Sequence, residues 1–165
     1  MNTFIIGYGN PLRGDDGVGW RVVEEIVNGQ LSIVNRQPET SPNPKSEIRN
    51  PKLIAVHQLL PELAEPISEA ELVIFVDASV EGEPGVVRTQ AVEPRPQPMG
   101  AFTHHFDPAG LLAYAAEVYG RSPRAYLVTV TAVSLYYAET LSPTVEAVLP
   151  EVLAEIQSLI SQTRA

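Results

Sequence analysis

A three-layer α/β sandwich, with helices on both faces of a mostly parallel twisted sheet of five or six strands, is expected from three features of the chain. Short apolar runs at residues 3–8 and 72–76 are unbroken rather than alternating, as in strands covered on both faces. Segments with helical apolar spacing separate the strand-like runs. The 165 residues are 44% apolar, enough to bury one core and too few for two comfortable ones, so a single domain over residues 1–165 is expected.

Taken in order, residues 3–8 form a buried strand closed by glycine, and a glycine-punctuated turn leads into the first helix. Val18, Val22, Val23 and Ile26 recur at helical spacing opposite Arg21, Glu24 and Glu25, and Asn28 with Gly29 supplies the stop. Residues 30–51 carry Pro38, Pro42, Pro44 and Pro51 with several Asn and Ser, a composition that predicts a long exposed loop insertion rather than a domain boundary. The chain resumes as a strand at residues 53–56, ending at His57. A short helix is expected over residues 59–67, interrupted by Pro66.

Residues 72–76, five apolar side chains bounded by Glu71 and Asp77, predict the central strand. After a turn at residues 82–84, residues 86–92 read as a strand that is antiparallel, because the connection is too short for a crossover. Pro94, Pro96 and Pro98 force an extended loop up to Thr103. Asp107 and Pro108 then open a helix whose buried stripe is expected to be Leu111, Leu112, Ala115, Val118 and Tyr119, ending at Gly120. A further strand over residues 125–131 precedes a last helix opened by Ser142 and Pro143, with Pro150 expected to kink it.

Eleven Lys and Arg against twenty Asp and Glu give a net charge of −9, and no basic run exists. Proteins that track phosphate backbones or lie on anionic membranes need clustered cations, so neither nucleic acid nor a membrane surface is an expected partner. There is no cysteine, which removes thiolate nucleophiles, disulfides and Cys-based metal sites. The first eight residues carry no basic region or long apolar stretch, so no secretory signal is expected and the protein is placed in the cytoplasm.

In such folds chemistry gathers at the carboxyl ends of the strands. Three places stand out: the turn of Gly7, Gly9, Asp15 and Asp16; Asp77 at the end of the most buried strand; and His104 with His105 ahead of the Asp107 helix. The turn is not a dinucleotide fingerprint, because Leu12 occupies the position of the third glycine. Asp15 and Asp16 also sit where a helix N-terminus would receive a pyrophosphate, and two anions there repel a third. One of the acids could simply cap the helix, a reading most open for Asp15; two adjacent acids exceed what one cap requires. Asp77 could be a turn or ion-pair residue, and either histidine a solvated loop side chain. Taken together, two acids and an imidazole without cysteine describe a hard-to-intermediate divalent metal site.

The stretch Gly7-Tyr8-Gly9-Asn10-Pro11-Leu12-Arg13-Gly14-Asp15-Asp16-Gly17-Val18-Gly19 closely resembles the amino-terminal signature of the [NiFe]-hydrogenase maturation proteases. The resemblance continues through residues 72–78, the Thr103-His104 loop with Leu111 and Leu112, and residues 141–145. The stretch His57-Gln58-Leu59-Leu60-Pro61-Glu62-Leu63 departs from the paired-glycine segment of many members and resembles the branch serving cytoplasmic bidirectional, NAD-linked hydrogenases. The family implies an aspartic-type endopeptidase that activates a hydrogenase by removing a carboxy-terminal extension from the large-subunit precursor after nickel insertion. It implies metal contacts and catalysis at the positions of Asp16 and Asp77, and a metal-contacting histidine at His104, with His105 as the alternative. Nickel is then carried by the precursor, and no cofactor is bound tightly by the isolated protein, which is expected to be a monomer. A non-catalytic nickel-binding or chaperone-like module that checks the precursor is the alternative reading, and a nucleotide-binding domain a third.

Overall fold

The computed structural model describes residues 1–29, 50–98 and 106–165. The expected loop insertion at 30–51 falls almost wholly outside the described residues, as do His104 and His105.

Among the described residues the sheet has five strands: β1 (Thr3–Tyr8), β2 (Lys52–Val56), β3 (Leu72–Ser79), β4 (Val87–Ala91) and β5 (Arg124–Thr131). Their spatial order is β2-β1-β3-β5-β4, with β4 the one antiparallel member. β3 lies at the centre, as its apolar run predicts, and Leu72 through Val76 are fully buried. β4 is antiparallel as expected, yet its partner is β5, which inserts between β3 and β4. Polarity explains the order: β5 brings the buried Ala125, Val128 and Val130 to an interior position, whereas Arg88, Thr89 and Gln90 of β4 suit an exposed edge.

Helices cover both faces. On one, α1 (Val18–Val27) and α4 (Pro143–Arg164) bury Val18, Val22, Val152 and Ile156 against Ile5, Ile74 and Val76. On the other, α2 (Ala64–Glu69) and α3 (Pro108–Tyr119) bury Ile67, Leu111, Leu112 and Ala115 against Phe4, Ile6 and Phe75. Each of these Val, Leu, Ile and Phe side chains contributes about 1.5–3 kcal/mol of burial. Among the described residues no helix is long and apolar enough to cross a membrane.

Several local expectations are corrected. The segment 59–67 is a 3-10 turn at Pro61–Leu63 followed by α2, which contains Pro66 instead of being interrupted by it. Pro66 falls in the first turn of α2, where a missing N–H costs nothing. Leu59 stays outside the helix, where its carbonyl accepts from Phe106 N at 2.9 Å. In α3, Asp107 caps Gly110 N at 2.7 Å and Gly120 ends the helix at φ +75°, both as expected. Val118 and Tyr119, however, are exposed, because the last turn of α3 runs past the sheet it packs on. α4 runs as one element through Pro150, whose lost amide leaves the Glu146 carbonyl without its intrahelical donor.

Candidate active site

The β order changes direction between β1 and β3: β1 leads to β2 on one side, whereas β3 and β5 extend the sheet on the other. Ligand crevices in open α/β sheets form at such a switch point, outside the carboxyl ends of the strands. The turn after β1 and the end of β3 deliver Asp16 and Asp77 to that crevice.

Close backbone approach sets the first wall. A Cβ on Gly7 would collide with the Gly19 carbonyl, so two glycines let the start of α1 sit directly on β1. Gly9 adopts φ +136°, and a side chain there would strike the Asp16 carbonyl. With the turn so compact, Asn10 N donates to Asp16 Oδ2 at 2.7 Å, and Asn10 Oδ1 accepts from Leu12 N at 2.9 Å. Among the described residues the Asp16 carboxylate is therefore tethered by one backbone donor, and it is only partly buried. Gly9 N reaches the Val56 carbonyl of β2 at 3.1 Å. Trp20 Nε1 donates to the Gly9 and Val56 carbonyls at 2.8 and 3.2 Å, and its ring meets His57 edge-on with centroids 5.3 Å apart.

Asp15 points the other way. It is buried, and its carboxylate accepts from Val133 N at 2.8 Å, Ser134 N at 3.3 Å, and Ser142 N and Oγ at 2.7 and 2.9 Å. It does not cap the helix that follows it, since neither the 3-10 turn Gly14–Gly17 nor α1 has a side-chain cap. Its work is to fasten the segment 133–142, and the Ser142 cap of α4, to the turn after β1. Arg13 adds to this seam, its Nε donating to the Leu135 carbonyl at 3.3 Å.

Asp77 forms the second wall. Burial pushes its carboxyl up from 3.8 to about 6, opposed by donation from Ala78 N at 2.8 Å and from the Tyr8 hydroxyl, and assisted by the neighbouring charge of Asp16. Burial also pushes the Tyr8 hydroxyl far above the ordinary phenol range, with Asp77, Asp107 and Asp16 adding to the effect, so Tyr8 remains a neutral donor. Tyr8, Asp16, Asp77 and Asp107 at the start of α3 are thus close enough to influence one another's charge. Among the described residues no group of three His, Cys, Asp or Glu could hold a metal ion by itself. Two carboxylates at one crevice offer an incomplete oxygen shell, and Asp77 is poised to exchange a proton near neutrality.

Of the residues expected from sequence, Asp16 and Asp77 meet here, while His104 and His105 lie outside the described residues. Sequence reasoning overlooked Tyr8 and Trp20. The place of Tyr8 as last residue of β1 was the available signal, because strand ends face the crevice.

No family model matches the chain, and no curated protein sequence does so. Solved structures do. The hydrogenase maturating endopeptidase HybD from E. coli is 23% identical, superimposes with a TM-score of 0.69, and is matched over 99% of this chain and 94% of its own. The hydrogenase 2 maturation peptidase from a Thaumarchaeota archaeon is 23% identical with a TM-score of 0.62, over 97% of this chain and 98% of its own. The [NiFe] hydrogenase maturation protease HybD from Thermococcus kodakarensis is 16% identical with a TM-score of 0.66, over 96% of this chain and 99% of its own. Across nearly its whole length, the chain has the fold of the hydrogenase maturation proteases.

Proposed function

We propose that this protein is a hydrogenase maturation endopeptidase, which removes the carboxy-terminal extension from the precursor of a [NiFe]-hydrogenase large subunit once nickel is in place. The observation that carries the reading is the electrostatic coupling of Asp16, from the turn after β1, to Asp77, at the end of β3, in a chain with that fold.

In this reading nickel arrives as part of the substrate. Asp16, Asp77 and His104, or His105 in its place, complete the coordination of a metal already held by the precursor, and that contact sets the scissile bond beside the carboxylates. Two oxygens and one imidazole without thiolates bind nickel weakly alone, so the isolated protein carries little metal. Water, activated by the substrate's metal or by a site carboxylate that takes its proton, attacks the peptide carbonyl; the C–N bond then breaks and the proton passes to the leaving amine, while Tyr8 donates to Asp77 and favours its charged form. The enzyme acts in the cytoplasm as a monomer, and the His57-Gln58-Leu59 stretch supports a bidirectional, NAD-linked hydrogenase as the target.

Intact-mass measurement on nickel-loaded precursor incubated with the purified protein tests this. A shortened subunit and a released peptide are expected. Tight association without release would favour the non-catalytic checking module instead.

A further inference from the structure

Beside Asp77 a cleft of about 470 Å³ opens across the sheet, lined by Asp77, Ser79, Glu81, Arg88, Gln90 and Thr129 over a floor that includes Leu127. Strand register orders this wall. Asp77 pairs with Thr129 and Thr129 with Arg88, so the three form one row across β3, β5 and β4. Phe75, Leu127 and Gln90 form the parallel row one step back. Two interstrand spacings put the Asp77 and Arg88 backbones about 10 Å apart, the span of about three extended residues.

Three of the polar side chains here have no charged partner among the described residues: Arg88, Gln90 and Thr129. Arg88 is held by neutral acceptors, Nη1 donating to the Glu81 carbonyl at 3.1 Å and to Thr131 Oγ1 at 3.3 Å, and it has no ion-pair partner among the described residues. In a chain with twenty acids, a fixed guanidinium without a carboxylate partner is a ready anion site. The side chains of Gln90 and Thr129 make no hydrogen bond among the described residues.

Resting on the peptidase reading, we propose that this cleft holds the extension on the released side of the scissile bond, with Arg88 binding a peptide carboxylate about three residues beyond that bond. Size decides which side of the substrate enters. A folded subunit cannot fit a space of 470 Å³, whereas a few extended residues can. Gln90 and Thr129 bond the intervening backbone, and Arg88 makes the site selective. The carboxylate is either an acidic side chain or the end of the chain.

The test pairs steady-state cleavage of nickel-loaded precursor with product inhibition by a synthetic peptide of the extension. Arg88→Gln should raise KM about tenfold with kcat within about twofold, and weaken peptide inhibition about tenfold. Gln90→Ala, which leaves the Glu81 contact intact, should weaken inhibition about threefold. Amidating the peptide's end should reproduce the Arg88→Gln loss if the chain end is the ligand; replacing its acids by amides should do so if a side chain is. Wild-type cleavage with unchanged KM and inhibition in both variants would overturn the cleft assignment alone. No cleavage by the wild-type protein would overturn the peptidase reading, and this inference with it.

Discussion

Asp15 and Asp16 are consecutive in one 3-10 turn and serve two different regions of the molecule. Asp15 is held by four donors from the segment 133–142, and among the described residues its neighbour keeps a single backbone tether, from Asn10 N. Dense hydrogen bonding inside the protein makes the Asp15 carboxylate structural, because both oxygens are engaged, Oδ2 by three donors and Oδ1 by one. Sparse bonding beside a second acid leaves Asp16 electrostatically costly and chemically available. One turn thus divides its two anions, one holding the fold and the other left partly exposed beside Asp77.

The sharpest way to break this contrast is to neutralise the crevice. Asp16→Asn and Asp77→Asn should each lower cleavage of nickel-loaded precursor by about 10³-fold or more while the folded state survives, as read by mass spectrometry and circular dichroism. Wild-type cleavage in either variant would sink the site assignment. Next in size is Asp15→Ala. It strands the part-buried amides of Val133 and Ser142, and should cost about 3 kcal/mol, seen as a fall in Tm of roughly 6–12 °C. A Tm within 2 °C of wild type would show that the seam is not fastened by Asp15.

Asp77 sharpens the comparison through pH. Its carboxyl titrates at about 6 in the folded protein against 3.8 in an unfolded chain, so the folded state binds the proton more tightly. Its stabilising contribution is complete below the lower value and lost as pH rises through the higher one, a loss on the order of 3 kcal/mol. Denaturant unfolding of wild type and Asp77→Asn between pH 4 and 7 should show the variant losing less stability over that window. Parallel curves would contradict a buried, costly Asp77. The smallest effect belongs to Tyr8→Phe, which removes a donor that favours the anion. It should move the Asp77 carboxyl midpoint above about 6 in a ¹³C NMR titration, and an unmoved or lowered midpoint would remove Tyr8 from the site.

How far these features were legible in the sequence follows from the range of the forces involved. β3 and α1 were readable because local periodicity and burial agree: every apolar position expected in α1 is buried. Asp16 and Asp77 were readable because strand ends point to the crevice whatever the packing details. The partner of β4 was not, since short connections imply hairpins and only the competition for an interior position places β5 between. The role of Asp15 was equally hidden. Its four donors stand 118 to 127 residues away, and nothing in local spacing announces them. Val118 and Tyr119 fit a helical stripe, but the stripe outlasts the sheet beneath it.

The account turns on a metal carried by the substrate and read by Asp16 and Asp77. The direct measurement is cleavage by metal-stripped protein of two precursors, one nickel-loaded and one nickel-free, the second in the presence of a strong chelator. The loaded precursor should be shortened and the nickel-free one left intact. Efficient cleavage of the nickel-free precursor would contradict metal recognition, and Asp16 and Asp77 would then have to act on the peptide bond alone.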